Sequence, residues 1–156
     1  MSTKTKSVLK AIGFSIVIIL IAMFGSIDSG EYYKALVLPK GAPPASVFPI
    51  AWGILYALMI ITVSIITIKV KDGMYKKDAI SYYYTQLMVN AVWPYLFFVF
   101  KLSALSFIWL ILLLVLVMIT LYKFYNLEKI AGLMLVPYVL WLIYAGYINL
   151  FVALLN

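Results

Sequence analysis

The sequence contains no cysteine and no histidine. Without cysteine there is no disulfide framework, no thiol nucleophile and no thiolate metal site. Without histidine the commonest metal ligand and the usual general base are gone. Arginine is missing as well: all 12 basic residues are lysines, so bidentate guanidinium recognition of phosphate or carboxylate is excluded. Acid is scarce. The five acidic residues, Asp28, Glu31, Asp72, Asp78 and Glu128, all fall in expected loops, so a proton-coupled pump would lack its membrane-embedded carboxylate relay. Paired carboxylates, a glycine-rich phosphate loop and a nucleophile–base pair are also absent. No metal site and no cofactor is expected.

Hydrophobic residues make up 67% of the 156-residue chain and charged residues 11%, against about 25% charged in soluble domains. That balance describes an integral membrane protein. The net charge of +7 raises nucleic acid as a partner, but the lysines are dispersed between apolar runs. Membrane topology and anionic lipid headgroups account for them better. The expected fold is all-α, a single domain over 1–156 built as a five-transmembrane-helix bundle, with spans at about 8–27, 48–68, 80–100, 104–122 and 131–155. The first run has the basic start of a signal peptide, but it is long enough to span and no small-x-small cleavage site clearly follows.

Residues 28–46 form the one long polar connection, long for a mere link in a small bundle; such loops are often lids, the alternative being an interfacial loop that only connects. Pro39, Gly41, Pro43 and Pro44 forbid a continuous helix through its second half, while Glu31 to Leu38 suits a short interfacial helix. Nine lysines lie on the N-terminal side of the five spans and three on the other. This asymmetry places the N-terminus in the cytoplasm and the long loop and C-terminus outside.

Chemistry concentrates in the third and fifth spans. Gln86, Asn90, Trp93 and Phe97 share a narrow arc of one helix face, and Pro94 deprives the Asn90 carbonyl of its helical partner. In the fifth span Tyr138, Trp141, Ala145 and Asn149 form a stripe flanked by Tyr144 and Ile148, with Ala145 and Gly146 small enough for close approach. Trp52, Tyr56 and Met59 share a face of the second span, where indole and phenol also commonly mark the interface. The fourth span carries Trp109 and no strongly polar group, and reads as scaffold. Amides at membrane depth are costly unless they face a partner or a cavity. They are either glue between helices or the floor of a ligand pocket. Indole, phenol, amide and thioether together favour binding a large flat apolar molecule.

Four ordered motifs then carry a resemblance. They are Tyr33-x-x-Leu36-x-x-Pro39-x-x-x-Pro43-Pro44, Phe48-Pro49-x-x-Trp52-x-x-Leu55-Tyr56, Gln86-Leu87-x-x-Asn90-x-x-Trp93-Pro94-x-Leu96-Phe97-Phe98, and Pro137-Tyr138-x-x-Trp141-x-x-Tyr144-Ala145-x-x-x-Asn149. On these the chain resembles the TspO/MBR family, the tryptophan-rich sensory proteins and mitochondrial translocator proteins (peripheral benzodiazepine receptors). The resemblance implies a five-helix bundle binding porphyrins, sterols or isoquinoline-type drugs in a pocket under the first loop, often as a homodimer. It implies a ligand site at Trp52, Tyr56, Gln86, Asn90, Trp93, Phe97, Tyr138, Trp141, Tyr144, Ala145 and Ile148, with Tyr33, Pro39, Pro43 and Pro44 in the lid. Some bacterial members are associated with light-driven porphyrin breakdown, for which the matching indoles are Trp52 and Trp141. The sequence departs from the family pattern at Leu38, usually lysine, and at Gly41, usually tryptophan. Its C-terminus lacks the tyrosine and basic residue of the proposed cholesterol motif, so nothing in it argues for sterol. The expected function is binding of a porphyrin or similar tetrapyrrole as sensor, scavenger or carrier, the alternative being an enzyme that degrades it under light.

Overall fold

The computed structural model describes residues 3–27 and 29–156. Asp28, expected to open the long loop, lies outside the described residues. Long apolar runs without internal breakers become long helices, because hydrocarbon leaves backbone groups no partner but each other. The helices are α1 (Thr3–Phe24), α2 (Ser29–Ala35), α3 (Val47–Lys69), α4 (Met74–Pro94), α5 (Ser103–Leu127), α6 (Lys129–Leu133) and α7 (Val136–Leu155), with no strand among the described residues. Among the described residues, four stretches are long and apolar enough to cross a membrane: Lys4–Phe24, Val47–Lys69, Ser103–Leu127 and Lys129–Leu155. The outward faces are apolar too, with Phe14, Ile54, Ile108, Leu112, Leu140 and Ile143 all exposed. Apolar surface of that extent has lipid as its natural solvent.

The expected third span, 80–100, is α4 continued by a π-helical turn, Tyr95–Val99. It is less apolar than the others because Lys76, Lys77 and Asp78 occupy its first turns and Gln86 and Asn90 its interior. Pro94 ends the α-helical ladder, having no N–H to give. The chain then widens its turn, Phe100 N–H donating to Tyr95 O at 2.8 Å. The Tyr95 hydroxyl donates to Ile21 O at 2.8 Å, tying this turn to the end of α1. Gly25 permits that approach, since a Cβ there would stand 2.8 Å from the Tyr95 ring.

Two expected loops prove partly helical. Asp78 lies in the second turn of α4, where its carboxylate pairs with Lys123 near the end of α5. Helix α5 continues past Tyr122 to Leu127. Charge stops the hydrocarbon but not the helix, because long lysine stems lie along the apolar surface while their ammonium groups reach water. The expected fifth span is in turn broken into α6 and α7 at Met134–Leu135. Gly132 seats α6 against α5: a Cβ there would lie 2.5 Å from the Tyr125 backbone.

Lys76 closes the α3–α4 connection. It is buried, and its ammonium donates to Thr67 O at 2.8 Å, to Val70 O at 2.9 Å and to Asp72 Oδ1 at 2.9 Å. The first two are carbonyls at the end of α3, whose intrahelical donors have run out. Replacing Lys76 with methionine keeps the stem and strands those carbonyls, so about 1–2 kcal/mol of stability should be lost. A thermal melt in detergent checks this, and an unchanged midpoint would mean water caps the helix equally well. Lys76 also holds the Asp72 carboxyl below its usual value, first by the hydrogen bond and then by charge. The stability contributed by this pairing is present above the ordinary value of 3.8 and lost as pH falls through the lower folded one.

Candidate functional site

The polar face of α4 meets two neighbouring helices in a hydrogen-bonded seam. The Tyr56 hydroxyl on α3 donates to Asn90 Oδ1 at 2.9 Å, and Asn90 Nδ2 donates to the Tyr138 hydroxyl of α7 at 2.8 Å. Tyr138 in turn donates to Gln86 Oε1 at 3.2 Å, while Gln86 Nε2 faces the Met59 sulfur at 4.0 Å. Asn90 and Gln86 are 2% and 1% exposed, so neither amide meets lipid. Each group partners another, which is the arrangement that makes buried polar residues tolerable. The amides expected from the helical arc are therefore spent between helices.

Above the seam lies a layer of rings. Trp52 stacks on Tyr56 with centroids 5.5 Å apart and meets Trp141 edge-on at 6.4 Å. Phe48 joins Trp141 at 5.9 Å to Tyr33 of α2 at 4.9 Å. Across from Phe48 and Tyr33, Trp93 stacks on Phe97 at 5.1 Å, and Phe98 packs edge-on against both. Between these groups runs a narrow crevice lined by Tyr33, Phe48, Trp93, Phe97, Phe98, Ala145, Ile148 and Asn149. Its cavity is about 10 Å³, the size that just admits one water.

Of the residues expected at a ligand site, Trp93, Phe97, Ala145, Ile148 and the lid residue Tyr33 line the crevice. Trp52, Tyr56, Gln86, Asn90, Tyr138 and Trp141 lie in the adjoining cluster or seam, joined to the crevice through the Phe48–Trp141 contact. Tyr144 packs with the crevice residues and meets Trp141 at 5.7 Å. Phe48, Phe98 and Asn149 were not expected there, although each stands in a quoted motif. Asn149 accepts from Trp93 Nε1 and from the Ser106 hydroxyl, both at 3.1 Å, and donates to Ser103 O at 2.8 Å. The fourth expected span is thus more than scaffold. Ser106 is fully buried, and Trp109 donates its indole N–H to Val89 O on α4 at 2.8 Å. An isolated serine in an apolar run gives no sign of a partner on another helix.

The segment over the crevice is fastened at several points. Tyr33 donates to Pro43 O at 3.1 Å. From α7, Tyr144 donates to Gly41 O at 2.7 Å and Tyr147 to Lys40 O at 3.0 Å. Asn156 brackets Val37, accepting from its N–H at 2.9 Å and donating to its carbonyl at 3.1 Å. Gly41 has a φ of +83°, which glycine adopts without the strain a side chain would bring. Ala42 N–H bonds Pro39 O and Val47 N–H bonds Pro44 O, so with Pro43 the three prolines of this segment provide carbonyls where they withhold amides. Burial raises the Tyr33 phenol to about 12, with Tyr144 adding to the effect, so it stays a donor at neutral pH.

One polar atom in this layer is left over. Trp141 Nε1 is buried and has no hydrogen-bond acceptor, where a buried indole N–H usually finds one. The arrangement suits shape recognition of an aromatic surface, with this N–H available to an acceptor.

The model of the TspO/MBR family matches residues 11–155. The chain is 31% identical over 127 residues to Protein CrtK of Rhodobacter capsulatus, an alignment covering 81% of this chain and 79% of the relative. It is 32% identical over 111 residues to a tryptophan-rich sensory protein of Cereibacter sphaeroides, covering 71% and 68%. It is 29% identical over 146 residues to the translocator protein of Bos taurus, covering 89% and 85%. The match takes in residues 36–46 and every residue lining the crevice, and this integral membrane protein belongs to the TspO/MBR family.

Proposed function

We propose that the protein binds a flat hydrophobic ligand of the porphyrin or tetrapyrrole class in the crevice beneath residues 36–46, acting as sensor, scavenger or carrier. The observation that carries this reading is the ring layer beside the crevice together with the unpaired Trp141 N–H. Relatives named as sensory and translocator proteins support it. Drug-sized ligands occupy pockets of about 300–1,000 Å³, so the present geometry is a closed one. Entry would lift residues 36–46 and break the contacts of Tyr144, Tyr147 and Asn156. Titration of the detergent-purified protein with protoporphyrin in the dark should quench tryptophan fluorescence saturably at one ligand per chain. Non-saturating quenching equal to that of a free indole would end the proposal. Loss of porphyrin under light but not in the dark would instead assign the degradative reading, with Trp52 and Trp141 in edge contact as the indoles involved.

In the same reading α4 and its π turn make a fifth crossing, and the lysine asymmetry sets the N-terminus in the cytoplasm. Ser29→Cys should then react with an impermeant thiol reagent in intact cells and Ser7→Cys should not. Labelling at Ser7→Cys alone inverts the orientation.

A further inference from the structure

Helix α1 presents a second feature on its outer side, away from the bundle and the lid. Lys6, Lys10, Gly13 and Val17 fall within a narrow arc of the helix, with Phe14 beside them. All five are exposed, Phe14 at 64% and Val17 at 57%. Lys10, Gly13, Phe14 and Val17 line a surface groove of about 280 Å³. Gly13 makes the notch, for a Cβ there would meet nothing within 4 Å. The Phe14 ring forms one side and is propped edge-on against Tyr84 of α4 at 6.1 Å. The Tyr84 hydroxyl, bonded to Ala11 O at 3.2 Å, anchors that prop to α1 itself.

Lys6 and Lys10 at the head of this groove have no ion-pair partner among the described residues. Among the described residues, the ion pairs are Lys69–Glu128, Lys76–Asp72 and Lys123–Asp78. The charges acting on Asp72 are those of Lys76, Lys4 and Lys77. Lys6 and Lys10 thus put two positive charges one helical turn apart over an apolar slot. At 1.5 Å of rise per residue, Lys10 stands about 10 Å from Val17 along the helix, the separation between a lipid phosphate and the upper part of its acyl chain.

We propose that this groove is a binding site for an anionic phospholipid, with the headgroup phosphate on Lys6 and Lys10 and one acyl chain laid over Gly13 between Phe14 and Val17. Charge complementarity selects the occupant. A second copy of this chain would bring the same lysines or an apolar face against them, and a zwitterionic lipid gains less from the pair. The site is independent of the crevice and of what that crevice binds.

Native mass spectrometry of the delipidated protein, with phosphatidylglycerol and phosphatidylcholine offered in turn, tests it. The wild type should retain phosphatidylglycerol preferentially, and more weakly as salt rises. Each basic residue near a membrane surface contributes about fivefold in affinity. Lys6→Gln with Lys10→Gln should therefore weaken phosphatidylglycerol binding about 25-fold, close to the phosphatidylcholine level. Gly13→Leu, which the open space tolerates, should reduce retention of both lipids with both lysines intact. Lys129→Gln on α6, a helix packed against α3 and α5 and outside the groove, should change nothing. The proposal is overturned if Lys129→Gln weakens binding as much as Lys10→Gln, since the lysines would then act as a diffuse field. It is also overturned if Gly13→Leu leaves lipid retention untouched, or if the lysine variants alter only a monomer–dimer equilibrium.

Discussion

Replacing Trp52 and Trp141 together by leucine is expected to weaken porphyrin binding about 30- to 150-fold, from roughly 1–1.5 kcal/mol lost per aromatic contact. Leucine keeps the layer apolar and partly filled, so the effect isolates ring contact from simple burial. The Trp141 N–H makes no bond within the protein, so its removal strands no internal acceptor. Affinity should therefore fall much further than the melting temperature. Trp109→Leu should do the opposite. It gives up the bond to Val89 O and packing beside the crevice, costing stability while the folded protein still binds. Two variants with crossed signatures distinguish a recognition surface from a structural one. If Trp109→Leu weakens porphyrin binding as much as the tryptophan pair, the rings act only as packing and the assignment fails.

Much of this arrangement is legible in the residues because hydrocarbon punishes polar groups so heavily that their spacing carries meaning. The helical arc of Gln86, Asn90, Trp93 and Phe97 is visible at a period of 3.6, and all four are buried. The short helix expected at Glu31–Leu38 forms as α2, Ser29–Ala35. What spacing within one helix cannot supply is the partner on another. Tyr56 and Tyr138 meet Asn90 only through the packing of three helices, so the same amides read equally well as glue or as pocket floor. Helix ends depart from the ends of the apolar runs for a related reason. Hydropathy marks where hydrocarbon stops, whereas α4 begins six residues before Ile80, at Met74, by carrying its charged turns into water. The break before α7 lies at Met134–Leu135, just ahead of Pro137, and follows from proline's exclusion of an upstream hydrogen bond. Asn156 bracketing Val37 had no signal at all, being a lone amide at the chain's last position.

Asn149 makes the strongest demand on this packing. It is 1% exposed and holds Trp93 and Ser106 through one oxygen while its nitrogen reaches Ser103 O. Asn149→Leu keeps the volume and deletes all three bonds. Ser103 O retains the Ser106 hydroxyl at 2.8 Å, but the Trp93 indole N–H is left buried without an acceptor. One stranded donor costs about 1–3 kcal/mol and each of the two other lost bonds about 1, so a total near 3–5 kcal/mol is expected. Trp93 also stacks on Phe97 at the crevice wall, so its reorientation should carry the damage into ligand binding. Adding Trp93→Phe to Asn149→Leu removes the stranded N–H while keeping a ring. The double variant should then melt higher than Asn149→Leu alone, with a coupling energy of about 1–2 kcal/mol in the completed cycle. Additive effects, or an Asn149→Leu protein that melts with the wild type, would mean that the Trp93–Asn149 bond contributes nothing to holding the crevice.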